Sequence, residues 1–175
     1  MLLERAKSGL KLQPFWRVEL GRVVLLGITS TLAALPVYEA EALPEERAEW
    51  RRLHEEHLVE ISEAFAALRP EQRVLLFCHA PSALPFLWRQ EKVRAKIGQV
   101  ERTVIGHLHT NLVFELSRAL RQARHWAPFK PLLCPSPAGS QLLKDGGYFT
   151  VKIDDTGTFP TSFKFHPLGW EELLP

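Results

Sequence analysis

Apolar residues recur along this chain at two spacings, and the spacing assigns most of the elements. FWRVELG and RVVLLGITST are apolar-rich runs on either side of Gly21, which predicts two strands around a tight turn. ALPVYEAEALP reads as a proline-punctuated loop. In PEERAEWRRLHEEHLVEISEAFAALRP, Trp50, Leu53, Ile61, Phe65 and Leu68 recur at helical steps, which predicts one long helix. Glu45 and Glu46 lie in its first turn, where the helix dipole favours anions, and Pro70 follows its end. RVLLFC, residues 73–78, is a continuous apolar run and suits a strand buried on both faces. APSALPFLW reads as a loop or short turn, EKVRAKI as a short helix and RTVIG, 102–106, as a strand. NLVFELSRALRQAR predicts another helix, and KPLLCPSPAGS a strand and a turn. GGYFTVKID and TSFKFHPL alternate as strands around a DDTGTFP hairpin. The pattern predicts an α/β fold in one domain over 1–175, with no repeat and no linker.

The bulk composition narrows the class only a little. The 175 residues are 46% hydrophobic and 24% charged, ordinary for a globular protein. A net charge of +2 is too mild to point to nucleic acid or to an anionic membrane surface. The first residues, MLLERAKSGLKLQPFW, carry charge throughout and hold no apolar signal core, and VVLLGI is far too short to span a bilayer. Two cysteines, Cys78 and Cys134, sit far apart in apolar stretches, as buried free thiols do in a reducing compartment. The expectation is a soluble, cytoplasmic protein.

The histidines separate into two groups. His54 and His57 lie on or beside the apolar stripe of the long helix and read as packing residues; His125 and His166 stand alone in amphipathic contexts. His79 directly follows the strand VLLFC, and His107 and His109 follow TVI after Gly106. All three close apolar strands, where open α/β sheets place their ligand sites. A neutral imidazole is a good ligand for divalent transition metals. In extended backbone the His-x-His spacing turns both rings to one side, and Gly106 removes a side chain where the chain must turn.

These residues resemble the C-terminal half of the calcineurin-like metallophosphoesterases. VLLFCHAPSALP, with His79 before a proline, and TVIGHLHT, with Gly106, His107 and His109, are similar to two of that family's blocks. PLLCPSPAGSQLLKDGGYFTVKID resembles its closing strands, and RVELGRVVLLGITST its paired strands before the central helix. The resemblance implies an αββα sandwich with mixed sheets and a two-metal site at strand ends. His79 and His107 would hold one ion and His109 the other, with Mn²⁺, Fe²⁺ or Zn²⁺ as the metals and a phosphoester as the substrate. In such sites two ions about 3.5–4 Å apart clamp the phosphoryl oxygens and supply the attacking hydroxide.

The departures limit what the resemblance implies. The family's Asp-x-His, Gly-Asp-x-x-Asp and Gly-Asn-His-Asp/Glu blocks do not occur here, and no Asp or Asn precedes Asn111. Asp145, Asp154 and Asp155 fall in KDGG and IDDTG, where turn chemistry accounts for them. Three neutral histidines cannot offset two divalent cations, so at most one weakly held ion is expected. The leading expectation is therefore the C-terminal part of a phosphoesterase domain, inactive by itself. Its unpaired sheet should expose apolar edges and faces prone to association, or to pairing with the missing N-terminal half. The competing expectation is a non-catalytic scaffold module of the same fold, with Pro85, Phe86, Leu87 and Trp88 as its partner surface. No GxSxG elbow or GxxxxGK[ST] loop is present. Cys78 and His79, as strand neighbours, point to opposite faces and make no catalytic dyad.

Overall fold

The computed structural model describes residues 13–106, 126–133, 147–154, 157–158 and 164–167. β1 (Phe15–Leu20) and β2 (Val23–Ile28) form an antiparallel hairpin. Gly21, at φ 60, takes the first central position of its two-residue turn, a conformation that costs glycine little. Two short helices follow, α1 (Ser30–Ala33) and α2 (Leu35–Tyr38), then 3₁₀ turns at Glu39–Glu41 and Pro44–Glu46. The long helix α3 spans Arg47–Ala66. β3 (Arg73–Cys78) leads through a 3₁₀ turn at Pro81–Ala83 into α4 (Leu84–Arg89) and α5 (Glu91–Ala95). β4 (Val100–Ile105) and β5 (Pro131–Leu133) complete the main sheet.

That sheet has the order β1-β2-β3-β4-β5, with β2 to β5 parallel and β1 antiparallel at one edge. A parallel strand with neighbours on both sides must bury both faces. β3 does so: Val74, Leu75, Leu76 and Cys78 are all buried. One face carries Val24, Leu26, Ile28, Val74, Leu76 and Cys78 against Ile61, Ala64, Phe65 and Leu68 of α3 and its C-terminal cap region. Leu84, Leu87, Val93, Trp126 and Phe129 extend the same core. The ladder between β3 and β4 shifts between Val74 and Leu75: Val74 pairs with Val100, but Leu75 with Arg102, leaving Glu101 as a bulge. The bulge lets Val100, Thr103 and Ile105 all be buried although their spacing is not strictly alternate.

Beyond the main sheet, β6 (Gly147–Thr150) pairs antiparallel with β9 (Lys164–Pro167), and β7 (Ile153–Asp154) with β8 (Gly157–Thr158). The expected hairpin around 154–160 is therefore present as two short ladders. The α/β class holds. Two expected loops are helical: ALPVYEAEALP contains α2 and its 3₁₀ continuation, and APSALPFLW contains α4. In each, proline occupies the first turn of the helix, where its missing N–H costs nothing. The predicted helix at 111–124, the PSPAGS turn, Cys134 and His125 lie outside the described residues.

Candidate functional site

Parallel strands end together, and their carboxyl ends form one rim. Ile28, Cys78 and Ile105 stand side by side in the ladder. The next residues are Thr29, His79 and Gly106, and the Gly106 N–H donates to the His79 carbonyl at 3.1 Å. The structure thus brings the His79 block and the start of the Gly106 block onto adjacent strands. His79 is exposed at this rim and Gly106 is half-buried. His107 and His109 follow Gly106 in sequence and lie outside the described residues.

A polar lock sits beneath His79. Ser30 Oγ accepts from the Ala80 N–H at 2.9 Å and lies 3.3 Å from Cys78 Sγ, which donates to the Ala80 carbonyl at 2.9 Å. Ser30, Cys78 and Ala80 are all buried. These bonds tie the end of β2 to the turn after β3 and satisfy groups that would be costly to leave unpaired. Burial pushes the Cys78 thiol up to about 12, against the opposing bonds to Ser30 and Ala80. It is a free, buried structural thiol without nucleophilic character.

His57 reaches the same end from α3. Its Nε2 accepts the Thr29 N–H at 3.2 Å, which leaves the proton on Nδ1. Nδ1 is buried with no hydrogen-bond partner, and the nearest Glu60 oxygen is 3.9 Å away. Burial first, and the neighbouring His54 second, push the His57 imidazole down to about 4. His54 Nδ1 donates to the Leu32 carbonyl at 2.6 Å. Both helix histidines serve packing and anchoring, and His166 lies beside Thr150 Oγ1 at 2.9 Å in the β6–β9 ladder.

Alongside the rim runs a groove of about 250 Å³ lined by Thr31, Leu35, Tyr38, Leu43, Glu46 and Trp50 among others. Tyr38 and Ser82 hydroxyls meet at 2.9 Å and join its wall to the turn after His79. The sequence pattern does not show this groove, because its walls come from three separate stretches: the end of the RVVLLGITST run, the segment read as loop, and the start of the long helix. In the aromatic segment 85–88, Pro85, Phe86 and Trp88 are half-buried and Leu87 is buried. Leu84 and Leu87 are fully buried, and Trp88 meets Phe129 edge-on at 6.2 Å.

Among the described residues no group of three or more His, Cys, Asp or Glu is placed to hold an ion. The residues of this chain do not fit a two-ion centre, because the sequence offers no upstream aspartate to bridge one. Among the described residues no helix is long and apolar enough to cross a membrane. No family model, no curated protein and no solved structure matches the chain.

Proposed function

We propose that this chain is the histidine-bearing, C-terminal part of a calcineurin-like metallophosphoesterase. In this reading it belongs to a metal-dependent phosphoester hydrolase whose carboxylate-bearing part lies outside these 175 residues. One observation carries the reading: the Gly106 N–H donates to the His79 carbonyl, so the two family-like blocks begin side by side at the carboxyl edge of a parallel sheet. An edge of this kind is where open α/β sheets hold ligands.

His79, His107 and His109 would supply neutral nitrogen donors for one ion. A divalent ion held there would polarise a phosphoryl oxygen. The Ser30–Cys78–Ala80 lock would hold the His79 turn in place. The chain alone carries too little negative charge for the second ion, so it binds metal weakly and does not turn over.

The test has two arms. Titration of the 175-residue chain with Zn²⁺ or Mn²⁺ should show one weak site, weakened about tenfold or more by His79→Ala and by His107→Ala. Hydrolysis of an aryl phosphate with added Mn²⁺ should stay at background. Metal-dependent turnover abolished by His107→Ala would overturn the half-site claim. Metal binding indifferent to both substitutions would overturn the metal reading itself.

A further inference from the structure

β1 forms one edge of the main sheet, and among the described residues no strand pairs with its outer side. Its open backbone groups can be assigned from the hairpin. Leu20 and Val23 flank a two-residue turn and form a hydrogen-bonded pair, as do Val18 with Leu25 and Trp16 with Gly27. The alternate residues Phe15, Arg17 and Glu19 therefore turn their N–H and C=O groups outward. Such an edge is a template for another strand unless it is blunted. β1 contains no proline and, among its described positions, no bulge against β2.

The side chains are unusual for an edge left in water. Trp16, Val18 and Leu20 share one face and are 39%, 44% and 44% exposed. On the other face stand Arg17 and Glu19, paired with each other along the strand, and Glu19 also meets Arg69 at 3.5 Å and accepts from Gln72 at 3.2 Å. Arg17 Nε is buried without a hydrogen-bond partner.

Centred on Val18, this pattern is self-complementary in an antiparallel register. Centring two copies on Val18 sets Arg17 of each against Glu19 of the other, and Trp16 of each against Leu20 of the other. Both outward-facing residues then form hydrogen-bonded pairs. Centring on Arg17 sets two arginines face to face, and centring on Glu19 sets two glutamates so. Like charges directly opposite destabilise a ladder, and opposite charges or apolar pairs support it.

We propose that β1 pairs antiparallel with β1 of a second copy of this chain, centred on Val18, to give a two-fold dimer with a continuous sheet. The contact is isologous, so each copy contributes the same strand and the assembly closes at two. The proposal does not depend on the phosphoesterase reading.

Sedimentation equilibrium of the 175-residue chain tests it. The native chain should dimerise below about 0.1 mM. Arg17→Glu and Glu19→Arg should each weaken the dimer by about tenfold or more, because each makes the strand's charges uniform. An equimolar mixture of the two variants should form the mixed dimer. Thermal melts of each variant check that the fold survives. A second measurement reads the register: in a Cys134→Ser background, Val18→Cys should cross-link to itself under mild oxidation, and Leu20→Cys should not. A native chain that stays monomeric at 0.1 mM overturns the proposal. So do variants that dimerise like the native chain, or a mixture that does not recover the dimer.

Discussion

Buried on α3 with one nitrogen unsatisfied, His57 ties stability to pH. Its folded-state value lies near 4, against an ordinary 6.5, so the unfolded chain takes up the proton first as pH falls. Stability from this group is fully present above about 6.5, declines between 6.5 and 4, and is gone below 4. The loss amounts to as much as about 3 kcal/mol. Urea unfolding at pH 7 and at pH 4.5 should show it, and His57→Leu should flatten the difference. A native-like pH slope in that variant would assign the effect elsewhere. Glycine 27 makes a second residue-scale case. A Cβ there would fall inside the Trp16 indole, which lies over Gly27 and meets Phe77 at 5.4 Å. Gly27→Ala should cost about 1–3 kcal/mol by overpacking. The cost should shrink when Trp16→Ala is also present, and equal costs in both backgrounds would show that the indole is not the obstacle.

At the scale of elements, the strands were legible, and of the short helices only α5 was. Alternation and continuous apolar runs placed β1, β2, β3 and β4, because strand burial is written in side-chain type at each position. α3 was legible for the same reason, since Leu53, Ile61 and Phe65 return to one face and are all buried. α2 and α4 are too short for periodicity to speak, and Pro36, Pro81 and Pro85 read as breaks. Their prolines begin helical turns, a role that differs from a break only in the backbone that follows. The Glu101 bulge was hidden as well. Val100 and Thr103 have the wrong parity for one face, and only the ladder to β3 shows how both become buried.

For the whole molecule, the candidate site was legible in part. The strand-end positions of His79 and Gly106 followed from the apolar runs before them. Ser30 did not stand out, because one serine in ITST carries no pattern; its role appears only when β2 and β3 lie side by side. Cys78 gives a global readout of that arrangement. It is 3% exposed at the carboxyl end of the central strand, and its thiol is held up at about 12. In a Cys134→Ser background, its labelling by an aromatic disulfide should follow global unfolding across a urea series. Fast labelling in native buffer would mean that the rim opens locally, and would argue against a rigid lock under His79.

The bulge at Glu101 also decides how β4 can change length. Loss of most residues from a strand reverses the side on which every later residue lies. Removing Glu101 alone joins Val100 directly to Arg102, and those two already face Val74 and Leu75 in succession. The pairings beyond, from Thr103 to Ile105, keep their partners. Position 101 is thus a place in this strand where the chain can shorten by one residue and still deliver Gly106 to His79 in phase.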